Sequence, residues 1–142
     1  MTQLRGFSTI SFWADDVPAA VAWYAEFLGV DAYFTNAGPD GRLAYAEFRI
    51  GDHEDELGIV DRRYAPPGAA DGPGGAIMYW HVDDLDATFA RLLSMGASEY
   101  QPITPRGTEG FVTAAVVDPF GNVLGIMYNP HYVETLESSG RA

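Results

Sequence analysis

Residues 7–13 alternate between two faces, with every second side chain on the same side. The two faces consist of Ser8, Ile10 and Phe12 and of Phe7, Thr9, Ser11 and Trp13. A period of two residues predicts a β-strand. Because one face mixes polar and aromatic side chains, we expect this strand to be half buried.

Two later segments repeat their apolar residues with a helical period. Asp16 can cap the first helix, Pro18 is tolerated in its first turn, and Gly29 ends it. Asp84 and Gly96 bound the second helix in the same way. The predicted buried stripes are Val17, Val21, Tyr24 and Leu28 in the first helix and Leu85, Phe89 and Leu92 in the second.

Three strand-like runs follow each predicted helix. They cover residues 31–35, 43–50 and 55–60 in the first half and residues 99–104, 111–117 and 122–128 in the second. Gly41 and the Asp-Pro-Phe-Gly-Asn segment at 118–122 supply turn residues and predict hairpins. Each half therefore has the element order β-α-β-β-β.

The second half repeats the first. The segment 15–19 returns at 83–87, and Leu-Gly-Ile at 57–59 returns at 124–126 with nearly the same spacing. We therefore expect one supersecondary unit built twice, in an α+β fold whose helices cover one face of each sheet. The two free faces, combined into a cup-shaped mixed sheet, would leave space for a ligand.

The predicted domain boundaries follow from the repeat and from composition. A Pro- and Gly-rich stretch separates the halves, and the chain turns polar after Pro130. The predicted parts are a first module at 1–61, a connection at 62–75, a second module at 76–130 and a polar C-terminal tail at 131–142.

Charge and composition exclude several function classes. Eight Lys and Arg against 20 Asp and Glu give a net charge of −12, which argues against nucleic-acid and anionic-membrane partners and would attract a cationic ligand. The absence of cysteine excludes disulfide scaffolds, thiolate zinc sites and cysteine nucleophiles. With no long apolar run, we expect a cytoplasmic protein.

The chain resembles the vicinal oxygen chelate superfamily in four features. They are the tandem βαβββ plan, the helix from Asp16 to Tyr24, the Val-Asp-Asp-Leu-Asp-Ala run at 82–87 and the turn at 118–122. This superfamily includes glyoxalase I, extradiol dioxygenases and bleomycin-resistance proteins. The resemblance covers roughly residues 6 to 130. It implies a fold, whereas activity varies widely among proteins that share a fold.

The resemblance also places four positions at which metal-using relatives carry His, Glu or Gln. They are Thr9 and Gly58 in the first module and Ile77 and Gly125 in the second. Gly and Ile have no side-chain donor atom, and a single hydroxyl is a poor ligand for Zn²⁺, Ni²⁺ or Fe²⁺. We therefore expect no metal or other cofactor.

The side chains that alternate onto the faces expected to line the cup suit a small organic ligand. The predicted ligand-binding residues are Thr9, Ser11, Trp13, Gly58, Ile77, Tyr79, His81 and Gly125. Aromatic rings, hydroxyls and an imidazole can stack on and hydrogen-bond an aromatic molecule, and the glycines would leave it room. Side chains that merely fill a closed cup are the alternative.

Other chemically active side chains have structural alternatives. His81 is either a general base or ligand contact or a structural histidine held by a carboxylate. His53 is expected in a solvated acidic turn and His131 on the surface, while Trp23 and Trp80 are expected in the core. Residues 62–64, Arg-Arg-Tyr, are either a lid or an exposed loop.

Three hypotheses about function follow. The first is a metal-independent homodimer that binds a small aromatic or cationic molecule, for example to sequester an antibiotic as bleomycin-resistance proteins do. The second is a lyase, isomerase or dioxygenase-like enzyme that uses either His81 and Tyr79 as acid–base groups or a metal held by ligands at other positions. The third is an inert interaction dimer with a filled cup.

Overall fold

A computed structural model describes residues 3–69 and 71–140. Met1 and Thr2 of the predicted first module, Ala70 of the connection, and Arg141 and Ala142 of the predicted tail lie outside the described residues. The chain divides into two compact units, and the division at residues 69 and 70 falls inside the predicted connection.

The first unit, called module 1 below, is a four-stranded mixed sheet with one long helix. Its elements are β1 (Thr9–Ala14), α1 (Val17–Leu28), β2 (Phe34–Ala37), β3 (Leu43–Ile50), β4 (Asp55–Asp61) and a short 3₁₀ helix (Arg62–Tyr64). The strand order is β1-β4-β3-β2, with β1 parallel to β4 and the other pairs antiparallel. Module 1 thus has the predicted βαβββ order.

The second unit, module 2, repeats this plan and adds a helix. Its elements are β5 (Tyr79–His81), α2 (Leu85–Ser94), β6 (Ser98–Arg106), β7 (Phe111–Val117), β8 (Val123–Tyr128) and α3 (Pro130–Ser138). The strand order β5-β8-β7-β6 repeats that of module 1, again with a parallel first pair. The predicted α+β fold of two tandem modules is confirmed.

The helix ends follow from their capping residues. The carboxylate of Asp16 accepts a hydrogen bond from the Ala19 N–H at 3.1 Å, and Asp84 accepts one from Ala87 at 3.0 Å. Gly29 ends α1 with a φ of 72°, a left-handed conformation that favours glycine. The sequence therefore places both helix starts correctly.

Each core lies between the helix and one face of its sheet. In module 1 the buried side chains include Val17, Tyr24, Phe12, Phe48, Leu57 and Ile59. In module 2 they include Phe89, Leu92, Val116, Leu124 and Ile126. The predicted stripe of α2 is confirmed. In α1, however, Ala20 is buried, and Val21 and Leu28 are only half-buried.

Three predictions about element bounds were wrong. The first strand begins at Thr9, and Phe7 lies before it, fully exposed. The strand predicted at 31–35 is β2 at Phe34–Ala37. The predicted polar tail at 131–142 contains α3, because the Asn129 side chain caps a helix with Pro130 in its first turn. Within the described ranges, no helix is both long and apolar enough to cross a membrane.

Candidate functional site

Each sheet has an open face on the side opposite its helix. In module 1 the open face of β1 carries Thr9, Ser11 and Trp13, whereas Phe12 and Ala14 are buried on the helix side. These β1 positions pair with Glu56, Gly58 and Val60 of β4. The alternation predicted for the first strand is therefore present, with Thr9, Ser11 and Trp13 on one face, and Glu56 lies beside Thr9.

Gly58 lies under a tyrosine ring rather than under empty space. A Cβ atom built at Gly58 would lie 2.9 Å from the Tyr45 Oη and 3.0 Å from the Tyr45 Cε1. The expectation that this glycine leaves room for a ligand is therefore wrong, because the side chain from the neighbouring strand β3 already occupies that room. Gly58 itself remains a predicted contact residue.

Three polar side chains accompany this tyrosine, and together with it they form what we call the carboxyl cluster: Tyr33, Tyr45, Glu47 and Glu56. The Tyr45 hydroxyl donates a hydrogen bond to the Glu47 carboxyl, and the Tyr33 hydroxyl donates one to Glu56 at 3.1 Å. Glu47 pairs with Gly58 across the β3–β4 ladder. Two acidic side chains thus meet on the open face of module 1.

The environment of the carboxyl cluster favours protonated groups. Partial burial, a hydrogen bond with Glu56 and the charge of Glu56 raise the pKa of the Glu47 carboxyl above its usual range. Burial, together with the charge of Glu56, also raises the pKa of Tyr45. Arg49 lies over the Tyr33 ring, with its guanidinium carbon 4.2 Å from the ring centroid. The Glu47 carboxyl is therefore easier to protonate than an isolated glutamate.

The open face of module 2 is crossed by a neutral bridge. Tyr79, Gly125, Ala115 and Gln101 lie in one row across strands β5, β8, β7 and β6. The Tyr79 hydroxyl donates to the Gln101 carbonyl oxygen at 2.6 Å, passing over the two small residues between them. The row contains no ionisable carboxyl. Tyr79, a predicted acid–base candidate, is engaged in this bridge.

Gly125 is even more tightly covered than Gly58. A Cβ there would lie 2.7 Å from the Tyr79 Cδ1, 2.8 Å from the Met78 carbonyl oxygen and 2.9 Å from the Ile77 Cγ2. The expected room above Gly125 is therefore also absent. Ile77 lies before the start of β5, beside this glycine, rather than on the strand itself.

His81 is nearly buried in module 2. Its side chain is 8% exposed, and its Nδ1 accepts a hydrogen bond from the Asn129 backbone N–H at 3.0 Å. Its Nε2 lies 3.5 Å from an Asp83 carboxylate oxygen. Of the two alternatives for His81, these contacts resemble the structural one, and its role in binding or catalysis remains a prediction.

The four positions of the metal ligands do not fit a metal. Thr9 supplies one hydroxyl, Ile77 supplies no donor, and any longer side chain at Gly58 or Gly125 would collide with Tyr45 or Tyr79. Across residues 3–69 and 71–140, no group of three or more His, Cys, Asp and Glu side chains converges as a metal site. We therefore derive no step through the family's metal.

The segment 62–64 is held against module 1. Arg62 pairs with Asp15 at 3.2 Å, and Arg63 pairs with Asp40 at 2.7 Å and with the buried Asp61 at 3.2 Å. The hydrogen bond from Arg63 holds the pKa of Asp40 well below its usual range. The segment is therefore a fastened 3₁₀ turn, neither a free loop nor a detached lid.

The remaining candidates lie away from the open faces or at their margins. His53 is exposed in a turn beside a shallow groove of about 460 Å³ lined by residues 5–8 and 53–56. His131 is exposed, as predicted, and lies 3.2 Å from Glu134. Trp23 and Trp80 are half-buried, so their assignment to the buried core was wrong.

Sequence reasoning missed the carboxyl cluster. Tyr45, Glu47 and Arg49 alternate along the predicted strand 43–50, and Glu56 begins the pattern of the next strand. The period of two could have placed Tyr45, Glu47 and Arg49 on one face of their strand, opposite the apolar Ala46 and Phe48. The meeting of Glu47 with Glu56 depends on the register between β3 and β4, which the pattern alone does not give.

Comparison with known proteins identifies the family. Residues 6–126 match the model of the Glyoxalase/Bleomycin resistance protein/Dioxygenase superfamily, and the chain belongs to this superfamily. No curated protein matches the sequence significantly.

Solved structures of the same fold cover nearly the whole chain. A glyoxalase-related enzyme from Fulvimarina pelagi has a TM-score of 0.69 at 19% identity over 89% of this chain and 90% of its own. A glyoxalase/bleomycin resistance protein from Catenulispora acidiphila has a TM-score of 0.59 at 21% identity, over 88% of this chain and 100% of its own. TnmS3, an antibiotic binding protein from Streptomyces sp. CB03234, has a TM-score of 0.61 at 27% identity, over 89% of this chain and 97% of its own.

Proposed function

We propose that this member of the superfamily binds a small organic molecule that carries both a cationic group and an aromatic ring. The proposed site is the open face of module 1, and binding there does not require the family's metal. The observation that carries the proposal is the pair of carboxyls, Glu47 and Glu56, held between the hydroxyls of Tyr45 and Tyr33.

The carboxyl pair supports a cationic ligand. Two carboxylates side by side repel each other, and here the repulsion and partial burial raise the pKa of Glu47. A protonated amine or an amidinium would relieve this repulsion, because its N–H groups can donate to both carboxyls and its charge balances theirs. The net charge of −12 raises the local concentration of such a cation.

Aromatic side chains around the cluster support an aromatic ligand. Phe34 packs against Tyr45 with ring centroids 6.2 Å apart, and 42% of Phe34 is exposed. Trp13 lies on the open-face side of β1 and is half-buried. Rings that stay partly exposed beside hydrogen-bonding groups are typical of surfaces that stack on planar ligands. Thr9 and Ser11 would add hydroxyls to this face.

The similarity to TnmS3 favours an organic ligand over an inert protein. That protein is described as antibiotic-binding, and it is 27% identical to this chain over 89% of its length. Sequestration of an antibiotic is the most specific form of our proposal. The expected homodimer stays a prediction, which light scattering of the purified protein tests.

An acid–base enzyme is the second candidate. The raised pKa of Glu47 is the observation that favours it, because a carboxyl whose pKa is shifted toward the working pH is better suited to act as a general acid or base. In this version Glu47 replaces His81 and Tyr79 as the leading acid–base group. Turnover of a bound compound that disappears in Glu47→Gln while binding persists would support it over simple binding.

Thermal unfolding with a matched pair of probes tests the proposed function. Benzamidinium and neutral benzamide share size and shape but differ in charge. In buffer containing a chelator, benzamidinium at about ten times its Kd should stabilise the protein by roughly 1.4 kcal/mol, whereas benzamide should not.

Variants locate the effect. Glu47→Gln and Glu56→Gln should remove the stabilisation by benzamidinium, and Glu99→Gln, which changes an exposed carboxylate of module 2, should keep it. Equal stabilisation by both probes, loss in Glu99→Gln, or a requirement for added metal would contradict the proposal.

A further inference from the structure

Arg106, the last residue of β6, reaches over the open face of module 2. Its Nε donates a hydrogen bond to the Thr113 hydroxyl of the neighbouring strand β7 at 3.0 Å. Thr113 lies two positions from Ala115, which belongs to the row bridged by Tyr79, and side chains two positions apart share a face of a strand. The bond therefore holds the Arg106 guanidinium above the open face.

In the part of the chain that the structure describes, this guanidinium has no acidic partner. Every ion pair found there uses other residues, although the chain has 20 Asp and Glu against eight Lys and Arg. Glu134 of α3 is paired with His131 at 3.2 Å. Because Thr113 engages only Nε, the two terminal nitrogens of Arg106 keep N–H groups for a ligand.

Phe111 places an aromatic ring beside this cation. It is the register partner of Arg106 across the β6–β7 ladder, and it lies two positions from Thr113 on the same face. The ring is half-buried and packs against His131, with centroids 5.1 Å apart. Side chains directly opposite on neighbouring strands lie within contact distance of each other. A flat molecule stacked on Phe111 would therefore bring a substituent to the Arg106 guanidinium.

Gln101 adds an uncharged donor to the same face. Its carbonyl oxygen accepts from the Tyr79 hydroxyl at 2.6 Å, which leaves its amide N–H groups for another acceptor. Gln101 pairs with Ala115, whereas Arg106 bonds to Thr113, so the two donors lie in neighbouring rows about 7 Å apart along the strands. The face thus presents a charged donor, a neutral donor and a ring.

We propose that the open face of module 2 binds an aromatic carboxylate, with the carboxylate on Arg106 and the ring on Phe111. The two oxygens of a carboxylate match the paired N–H groups of a guanidinium, and such charge-assisted pairs are among the stronger hydrogen bonds of proteins. Gln101 would donate to a further oxygen on the ligand. The carboxyl cluster of module 1 has the opposite charge and selects the opposite ligand.

The net charge of −12 works against an anionic ligand, but only over long distances. At an ionic strength of 0.1 M, exposed charges more than about 10 Å apart are largely screened from each other. A carboxylate in direct contact with Arg106 is screened much less. Binding should therefore depend on this one arginine more than on the total charge of the chain.

An NMR titration of the labelled full chain with benzoate tests the site, and neutral benzamide is the matched probe. Benzoate should shift the amide signals of β6 and β7 around Arg106 and Phe111, whereas benzamide at the same concentration should not. Arg106→Gln should weaken the binding of benzoate by at least about tenfold, since it removes the charged partner of the carboxylate.

Arg91→Gln is the control variant, because it removes the same charge from an exposed arginine of α2, on the opposite side of the sheet. It should keep the response to benzoate. Absence of shifts around Arg106, equal shifts from benzamide, or equal losses in the two arginine variants would overturn the proposal.

Benzamidinium separates this inference from the function proposed for module 1. Its binding should be lost in Glu47→Gln and kept in Arg106→Gln, and benzoate should show the reverse. If benzoate fails while benzamidinium binds, the inference for module 2 is wrong and the proposed function stands. If benzamidinium fails while benzoate binds at Arg106, the proposed function is wrong and the carboxylate site stands.

Discussion

The two modules share one plan, yet their open faces differ in chemistry. In module 1 a tyrosine covers the glycine of the last strand and donates to Glu47, which lies beside a second carboxyl. In module 2 a tyrosine covers the equivalent glycine and donates to neutral Gln101. A tyrosine of β3 covers the glycine beside an acidic pair in one copy, and a tyrosine of β5 covers it beside a neutral amide in the other. Ligand recognition can therefore differ between repeats while the fold is kept.

The strongest test of how closely each glycine is covered is to add a methyl group at Gly58 and at Gly125. In Gly125→Ala the new carbon would meet a backbone oxygen, that of Met78, at 2.8 Å, and a backbone atom cannot turn away. In Gly58→Ala it would meet only the ring of Tyr45, which can rotate. We expect Gly125→Ala to lower the free energy of unfolding by about 3 kcal/mol and Gly58→Ala by about 1 kcal/mol, as measured by denaturant titration.

The double variant Gly58→Ala/Tyr45→Ala serves as the control. Once the ring is removed, the methyl group at residue 58 should cost almost nothing, so the two changes should be non-additive. Equal losses for the two single glycine variants would contradict the backbone clash with Met78 at residue 125, and additive losses in the double variant would contradict the cover of residue 58 by Tyr45.

The elements predictable from the sequence are those with local signals. Asp16, Gly29 and Asp84 mark helix ends because a cap needs only its own neighbours along the chain, and the repeat of Leu-Gly-Ile exposes the tandem plan. The carboxyl cluster and the covering tyrosines depend on register between strands that are distant in sequence. Helix α3 was missed because its polar composition conceals the cap at Asn129.

A smaller effect separates the modules by their response to pH. Because the pKa of Glu47 is raised in the folded protein, the native state holds a proton that the unfolded chain releases. The contribution of Glu47 to stability is therefore present at low pH and is lost as the pH rises through its raised folded-state pKa. As the pH rises above the usual pKa of a glutamate, the free energy of unfolding of the wild type should fall relative to that of Glu47→Gln, until the pH exceeds the raised folded-state pKa of Glu47.

Glu99→Gln in module 2 is the matched comparison for this titration. It removes an exposed carboxylate that lies outside the carboxyl cluster, so a drift caused by the cluster should be found in Glu47→Gln and not in this variant. If both variants drifted alike, the elevated pKa would not belong to the open face of module 1.

An NMR titration of the labelled protein with benzamidinium tests directly whether the carboxyl cluster binds a cationic aromatic molecule. The titration is followed residue by residue and repeated with benzamide. Benzamidinium should shift the amide signals of β3 and β4 around Glu47 and Glu56, and Glu47→Gln should abolish these shifts. Benzamide should leave the same signals unchanged. Shifts confined to module 2 around Tyr79 and Gln101, or equal shifts from the neutral probe, would contradict binding at the carboxyl cluster.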